Sequence, residues 1–310
     1  MLKTENISKS FKTVKALQNI SFEVDEGELF GLVGPDGAGK TTLFNILVTL
    51  SNPDEGRAFV SGFDIDKDYR KIREIIGYLP GQFSLYSDLS CYENLDFFAT
   101  LYGNTIEENY EIIKPIWQQL EPFKKRRAGK LSGGMKQKLA LCCALVHRPS
   151  VLFLDEPTTG VDPVSRREFW SILKELKKKK MTIMVSTPYM DEASLCDRVG
   201  LIQNGKILKI GTPTSIVNDF SGMLFSMRTN AMYQDIKQLR QCKADFHYYP
   251  FGQHLHIATP NQEEADKIHD FIEQTTHKKR ALKVIKPTIE DCFIQLMNAS
   301  GIKKIYPEKA

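Results

Sequence analysis

A glycine-rich stretch between two apolar segments constrains this chain more than any other part of the sequence. It runs Gly34-Pro35-Asp36-Gly37-Ala38-Gly39-Lys40-Thr41-Thr42 and fits the pattern G-x-x-x-x-G-K-[ST]. A β-rich apolar run at residues 29–33 precedes it, and a pattern typical of an amphipathic helix follows. In this context the loop amides and the helix N-terminus favour an anion, so the stretch predicts a phosphate site for a nucleoside triphosphate. Lys40 would reach the β- and γ-phosphates and Thr41 would hold Mg²⁺; the alternative is a glycine-rich turn without a ligand.

A second apolar run, residues 151–154, predicts a buried strand that ends in two carboxylates, Asp155 and Glu156. Ligands bind at the C-terminal edge of open parallel sheets, so these acids are candidates for the same site. Adjacent strand residues point to opposite sides, which predicts different roles for them. One acid would hold Mg²⁺ and the other would face an attacking water. The alternative is a structural acidic turn.

The segment Leu131-Ser132-Gly133-Gly134 opens a predicted helix, and Ser132 is a plausible N-cap. Glycine in the first turn weakens a helix, so two glycines are unusual for capping alone. They suit a backbone that must approach a ligand closely.

The order of predicted elements indicates an α/β fold with two domains. Residues 1–28 read as short strands, and residues of about 90–145 read as a helical insert in a first domain that spans 1–215. Composition shifts past residue 213. The predicted order over 224–298 is strand, helix, strand, strand, helix, strand, helix, which resembles a ferredoxin-like α+β domain within 216–310. Residues 302–310 are predicted to be a loose tail.

Charge and composition exclude several classes of protein. The net charge of +4 is too small to indicate a nucleic-acid partner. We find no apolar run of 18 residues and no signal peptide at the N-terminus. The six cysteines form no C-x-x-C pair, which indicates reduced thiols in the cytosol rather than a metal site.

Taken in this order, the phosphate loop, the Leu-Ser-Gly-Gly segment and the Asp-Glu strand resemble the ATPase subunit of an ABC transporter. The resemblance covers about residues 1–215 and implies a P-loop NTPase core with a helical subdomain. The segments 84–86, 159–163 and 189–193 resemble the drug- and antibiotic-export group that pairs with ABC-2-type permeases, and the C-terminal domain ending in 287–293 is similar to that group's tail. A cytoplasmic chain, peripheral on the inner face of the cell membrane, is therefore expected.

The resemblance implies that two subunits enclose two ATP molecules. Within one chain, residues of the phosphate loop would hold phosphates, while Asp155 and Thr41 would serve Mg²⁺ and Glu156 would polarise the attacking water. Phe11, for which the local pattern alone favours strand packing, would stack on adenine. The helix start Ser132, Gly133 and Gly134 would contact the ATP of the opposite subunit, and Asp162 would lie at the dimer contact.

Two positions depart from the family pattern. Pro188 follows Ser186-Thr187 where the family usually has a histidine, and loss of such a γ-phosphate contact costs roughly 3–4 kcal/mol by analogy with oxyanion-hole deletions. The glutamine that senses Mg²⁺ is expected at Gly81, whereas Gln82 stands one residue later, so either the loop is shifted to present Gln82 or that function is missing. We therefore expect weak hydrolysis at this chain's own site and a heterodimer with a second ATPase subunit rather than a homodimer. A soluble ABC-type ATPase and an ATP-gated binding module are the alternative functions.

Overall fold

The computed structural model describes residues 1–276 and 282–299 of the 310-residue chain. The chain divides into two compact units, Met1–Pro213 and a second unit that begins at Thr214. The sequence predicts this boundary after residue 215. The predicted tail at 302–310 lies outside the described ranges.

The first unit contains two sheets and a set of helices. Its strands are β1 (Leu2–Phe11), β2 (Val14–Val24), β3 (Leu29–Val33), β4 (Glu55–Val60), β5 (Phe63–Asp64), β6 (Ile76–Leu79), β7 (Val151–Asp155), β8 (Thr182–Thr187), β9 (Arg198–Gln203) and β10 (Lys206–Gly211). Its helices are α1 (Lys40–Leu47), α2 (Tyr69–Ile75), α3 (Cys91–Leu101), α4 (Tyr110–Leu120), α5 (Gly133–Leu145), α6 (Pro163–Lys178) and α7 (Met190–Ala193), and α8 (Pro213–Asn218) follows at the boundary.

The N-terminal region differs from the short strands predicted for residues 1–28. Strands β1 and β2 are long, and they form an antiparallel sheet with β4 and β5 in the order β2-β1-β4-β5. Asn6 and Asn19 adopt left-handed φ values of 51° and 53° near register shifts between β1 and β2. Such irregularities interrupt the alternation of apolar and polar residues, so one long strand reads as several short ones.

The central sheet places the ends of its strands around the phosphate loop. Its order is β10-β9-β3-β8-β7-β6, in which β3 is parallel to β8 and β9, and β7 is parallel to β6 and β8. All five residues of β3 and of β7 are buried. Continuous apolar runs are typical of parallel strands covered on both faces. The first turn of α1 and the acidic end of β7 therefore meet at one edge of the sheet.

The helical insert predicted at about 90–145 consists of α3, α4 and α5, with α3 and α4 packed against α5. Helix α3 begins with a capping box, because Ser90 and Glu93 each accept a hydrogen bond from the other residue's backbone N–H. Helix α4 buries Ile113, Ile116 and Leu120. Among the helices in the described ranges, none has the length and hydrophobicity needed to cross a bilayer.

The second unit is a four-stranded antiparallel sheet with helices. Its elements are β11 (Met223–Arg228), α9 (Met232–Leu239), β12 (His247–Phe251), β13 (His254–Thr259), α10 (Gln262–Thr276), β14 (Lys283–Ile285) and α11 (Ile289–Ala299). The sheet order is β12-β13-β11-β14. The crossover from β11 through α9 to β12 leaves β13 between the two strands, which is the split β-α-β arrangement. Its core combines Phe225 and Ile257 of the sheet with Leu239, Ile268 and Ile272 of the helices.

Candidate functional site

The phosphate loop is held close to its neighbours by its backbone. Gly39 has a φ of 108°, and a Cβ atom there would lie 2.5 Å from the carbonyl oxygen of Ala16 on β2. A Cβ atom on Gly34 would lie 2.1 Å from the carbonyl oxygen of Ile202 on β9. The loop is fixed further on its second side, where Gly205 N–H donates to the Ala38 carbonyl at 2.9 Å. Only glycine fits at Gly34 and Gly39. The packing of the loop therefore requires both glycines, in addition to any contact that they make with phosphate.

Lys40 directs its ammonium group into the loop. Its side chain is 3% exposed, and Nζ donates to the carbonyl oxygens of Gly34 at 2.7 Å and Pro35 at 2.9 Å. The Glu156 Oε1 atom lies 3.1 Å from Nζ, and the Asp36 carboxylate is more distant at 4.0 Å. The lysine that the sequence predicts to reach phosphate is thus held by a carboxylate and two carbonyls at the end of β3.

Asp155 lies beside Thr41. Its side chain is buried, and Ser186 Oγ donates to Oδ1 at 2.5 Å. Burial raises the pKa of Asp155 above its usual value, while hydrogen bonds from Ser186 and Thr41 act in the opposite direction. Burial and the nearby Asp155 charge also raise the pKa of Tyr78 to about 12. Ser186 is a member of this site that the sequence analysis assigned no role.

The expectation that Asp155 and Glu156 point to opposite sides is wrong. Strand β7 ends at Asp155, and Glu156 adopts a left-handed φ of 49° that turns the chain. Its N–H donates to Ser186, to the side-chain Oγ at 3.0 Å and to the carbonyl at 3.1 Å. The alternation of side chains along β7 therefore ends at Asp155, one residue earlier than the sequence predicts. The two acids contact consecutive residues of the phosphate loop, Asp155 with Thr41 and Glu156 with Lys40.

Phe11 stands at the end of β1 and is 52% exposed. It pairs with Val14 across the hairpin, and Lys9 Nζ lies 5.7 Å from the centre of its ring. The β2 backbone at Ala16 is the part of this hairpin that lies against Gly39. About half of the Phe11 side chain therefore faces solvent, which leaves part of the ring accessible beyond its packing in the hairpin.

The helix start at Ser132 contacts a different segment. Ser132 Oγ accepts from Met135 N–H at 3.3 Å, which makes it the N-cap of α5. A Cβ atom on Gly134 would lie 2.6 Å from Ser165 Oγ, and one on Gly133 would lie 3.3 Å from the Gly160 carbonyl. The packing against the start of α6 therefore requires a glycine at position 134. From the sequence alone, a close contact with a ligand was the only explanation given for this residue.

The structure also shows what Asp162 and Gly81 contact. Asp162 caps α6 by accepting from the N–H groups of Val164 and Ser165, each at 3.0 Å. Gly81 runs next to the acidic strand end, since a Cβ atom there would lie 3.2 Å from the Asp155 carbonyl oxygen. Gln82 follows with an exposed side chain.

A network around a buried acid, Glu192, was not predicted from the sequence. This side chain is 1% exposed and accepts hydrogen bonds from Thr158 Oγ1 at 2.8 Å and Thr187 Oγ1 at 2.5 Å. Arg166 Nε lies 3.1 Å from its Oε1 atom. The partners are 5 to 34 residues away in sequence, so no local pattern joins them. The only available signal was an acidic residue in the segment 189–193.

An open groove of about 340 Å³ lies between the central sheet and the helical insert. It is lined by residues of α3, α5, the end of β6 and the loop that follows, namely Tyr78, Leu79, Pro80, Ser84, Leu85, Phe98, Tyr102, Ala140, Cys143, Ala144 and His147, with Val48, Leu50, Arg73 and Ile76. His147 stacks on Tyr102 at 3.8 Å, and its Nε2 atom lies 2.9 Å from the Ile76 carbonyl oxygen. Its Nδ1 atom is buried and has no hydrogen-bond partner among the residues that the structure describes.

Comparison with protein families matches residues 17–159 to the family described as ABC transporter. The chain is 41% identical over 218 residues to a protein of Escherichia coli (strain K12) named a probable multidrug ABC transporter ATP-binding protein, YbhF. That match covers 70% of this chain but 38% of the E. coli protein, so the chain spans well under half the length of that relative. The linearmycin resistance ATP-binding protein LnrL of Bacillus subtilis (strain 168) is 37% identical over 72% of both chains.

Other relatives and solved structures agree with this match. The doxorubicin resistance ATP-binding protein DrrA of Mycobacterium tuberculosis (strain H37Rv) is 39% identical over 66% of this chain and 62% of its own length. Among solved structures, a dimeric ATP-binding cassette in a post-hydrolysis state with ADP and Pi matches with a TM-score of 0.63 and 26% identity. That match covers 68% of this chain and 98% of the cassette.

Proposed function

The chain belongs to the ABC transporter family of ATP-binding proteins, and on that premise we propose that it hydrolyses ATP to power a membrane exporter. The observation that carries the proposal is the pairing of Lys40 with Glu156 and of Thr41 with Asp155. A cation and a hydroxyl for phosphate binding face two carboxylates at one strand end. The names of the relatives favour an exporter of drugs or antibiotics over the two alternative functions, a soluble ABC-type ATPase and an ATP-gated binding module.

Phosphate binding falls to the loop from Gly34 to Thr42. The γ-phosphate of ATP would take Lys40 away from Glu156, while the loop amides and the N-terminus of α1 stabilise the remaining negative charge. Thr41 and Asp155 fit Mg²⁺, because they offer a hydroxyl and a carboxylate, which are oxygen ligands of the kind that Mg²⁺ takes, and Thr41 is close enough to act on the pKa of Asp155. The ion would neutralise charge that develops on the phosphates.

The remaining residues act on the reaction and on the nucleotide. Glu156 would accept the proton of the attacking water once Lys40 binds phosphate instead. Phe11 would stack on adenine with its exposed ring. Ser132, with Gly133 and Gly134, would close the site of a second ATPase subunit, and Gln82 would report on Mg²⁺ from the loop next to Asp155.

We further propose that hydrolysis at this chain's own site is slow. Pro188 offers no side-chain donor to the γ-phosphate, and the neighbouring Thr187 hydroxyl is already used by Glu192. This asymmetry supports a heterodimer in which a second ATPase subunit supplies a more active site. Replacing Pro188 with histidine should raise turnover by up to roughly 10²–10³-fold. Pro188→Ala removes the ring and restores a backbone N–H, as histidine also does, but adds no side-chain donor; it is the control and should leave the rate near that of the wild type.

An ABC-2-type permease is the proposed membrane partner, and the groove beside His147 is its proposed docking site. Leu50, which is 62% exposed, belongs to the apolar lining, and the exposed Tyr86 (51%) follows the lining residue Leu85 in the chain. The loop that carries Gly81 and Leu85 joins the groove to Asp155, so an occupant would be coupled to the nucleotide site.

The docking proposal is tested by co-purification of the chain with a neighbouring-gene permease. Leu50→Glu should reduce recovery of the complex at least tenfold and leave ATP affinity unchanged. Tyr233→Glu replaces another exposed large side chain, 80% exposed, in the second unit and should have no effect. Equal recovery of all three proteins would rule out the groove as the docking site.

The central proposal is tested with the purified chain, ATP and Mg²⁺. Lys40→Ala should abolish binding of a fluorescent ATP analogue. Glu156→Gln should retain binding and lower the hydrolysis rate by roughly 10²–10⁴-fold. Circular dichroism controls for folding of both variants. Hydrolysis that survives Glu156→Gln at the wild-type rate would contradict the proposal.

A further inference from the structure

Glu192 carries a buried carboxylate next to the candidate site, and none of the roles above uses it. Three groups share its two oxygens: Oε1 accepts from Thr158 Oγ1 and lies 3.1 Å from Arg166 Nε, and Oε2 accepts from Thr187 Oγ1. A buried carboxylate is unfavourable unless hydrogen bonds and an opposite charge replace its hydration. Here both are present, so the group is fully satisfied in this position.

The two threonines connect Glu192 to the ends of two neighbouring strands at the candidate site. Thr158 is fully buried two residues after Glu156, in the segment that leaves β7. Thr187 ends β8, and its carbonyl oxygen accepts a hydrogen bond from Gly34 N–H of the phosphate loop at 3.2 Å. One carboxylate therefore ties the segment of Glu156 to the strand end that supports the loop.

Arg166 connects the same carboxylate to α6. Its guanidinium lies over the ring of Tyr189 at 4.4 Å, and one terminal nitrogen is 2.6 Å from Asp191 Oδ2. The preceding residue of α6 is the one that packs against the glycine at the start of α5. Glu192 is thus joined through Arg166 to the helix start that is proposed to serve a second subunit.

We propose that Glu192 is a positioning residue for ATP hydrolysis, which sets the distance between the segment of Glu156 and the strand end at Thr187. The inference rests on the proposed ATPase function of the site. Pro188 follows Thr187 directly and has no side-chain donor with which a γ-phosphate could hold this segment. Glu156 N–H holds the preceding residue, Ser186, and the hydrogen bond between Thr187 and Glu192 is the side-chain contact that fixes the end of the segment beyond it.

The test compares Glu192→Ala, Glu192→Gln and Thr187→Val in the full chain, assembled with its permease, by kcat, KM and affinity for a fluorescent ATP analogue. We expect Glu192→Ala to lower kcat on the order of 10- to 100-fold, since small displacements of reacting groups have effects of this size. ATP affinity should stay within about threefold of wild type. Glutamine can still bond both threonines, so Glu192→Gln should retain most of kcat, and Thr187→Val combined with Glu192→Ala should be no slower than Glu192→Ala alone.

A matched control separates positioning from loss of stability. Glu28 is another buried carboxylate of the same unit, 7% exposed and 3.4 Å from Arg198 Nη1, at the opposite end of β3 from the phosphate loop. Glu28→Ala should lower the melting temperature without changing kcat at a permissive temperature. Wild-type kcat in Glu192→Ala, an equal loss in Glu28→Ala, or a glutamine variant as slow as the alanine variant would overturn the inference. A wild-type complex without any ATP turnover would instead refute the proposed function.

Discussion

Asp155 holds a carboxylate in a buried position, and burial is the main cause of its raised pKa. Because the folded pKa lies above the unfolded value of 3.8, the folded state binds the proton more tightly. Ionisation therefore lowers the free energy of unfolding as pH rises through the window between the two values, and the full loss persists at neutral pH. The nucleotide-free chain keeps this carboxylate at the expense of stability.

The first prediction follows from that carboxylate. Asp155→Asn should raise the melting temperature of the nucleotide-free chain at pH 7 by a few degrees, since the amide oxygen still accepts from Ser186 and no charge is buried. The same variant should lose the further rise that ATP with Mg²⁺ produces in the wild type. Differential scanning fluorimetry measures both. A variant less stable than the wild type without nucleotide would contradict the argument.

His147 predicts a second pH dependence, of opposite sign. Burial lowers its pKa below 6.5, with the bond to the Ile76 carbonyl acting against the shift. The unfolded chain therefore binds more protons, and stability is lost as pH falls from 6.5 to the lower folded pKa. His147→Gln should remove up to about 1.4 kcal/mol per pH unit of this slope. Urea unfolding across pH 5–7 tests it, with the exposed His254→Gln as the control that should keep the slope.

At the scale of elements, the contact between the starts of α5 and α6 is tight. Gly134→Ala would place a methyl group 2.7 Å from the Ser165 Cβ atom, so the helices must separate or shift. We expect a loss of about 1–3 kcal/mol in the free energy of unfolding. Adding Ser165→Gly should recover much of that loss by removing the facing side chain. Urea denaturation of the single and double variants measures the recovery, and an absence of recovery would assign the loss to another cause.

Elements with a strong local pattern were predictable, and the geometry between elements was not. The strand before Gly34, the helix after Lys40, the strand that ends at Asp155 and the cap Ser132 follow from residue types within one or two turns. The turn at Glu156 could not be predicted, because a glutamate at a left-handed φ carries no sequence signal. Contacts between segments far apart in sequence, on which the packing of the phosphate loop also depends, exist only after folding.

At the scale of the whole molecule, the second unit has its own buried polar cluster. Asp291 is fully buried and accepts hydrogen bonds from Tyr249 at 2.6 Å and from the hydroxyl and N–H of Thr288, each at 2.6 Å. His256 Nδ1 lies 2.7 Å from the same carboxylate, and the ring of Phe251 stacks on His256 at 4.3 Å. One carboxylate thus joins the start of α11 to β12 and β13.

Removal of that carboxylate should affect the two units differently. Asp291→Ala leaves Tyr249 and His256 without their acceptor, so we expect the second unit to lose about 3–5 kcal/mol. ATP affinity should stay within twofold of wild type, because the phosphate loop lies in the first unit. Calorimetry with and without ATP distinguishes the units, since ATP raises only the transition of the unit that binds it. If ATP affinity fell in proportion to the stability of the second unit, the two units would not be independent.

The ion pair between Lys40 and Glu156 has a consequence for measured affinities. In the chain without nucleotide, Glu156 forms an ion pair with Lys40, the residue that must bind phosphate. ATP therefore competes with the Glu156 carboxylate for Lys40. The native dissociation constant therefore contains the work of separating that pair. A variant without the acid is free of this competitor and should bind ATP more tightly than the native chain. Titrations on a variant that lacks Glu156 would then overstate the affinity of the native chain for ATP, and a calorimetric comparison of the two proteins would reveal the difference.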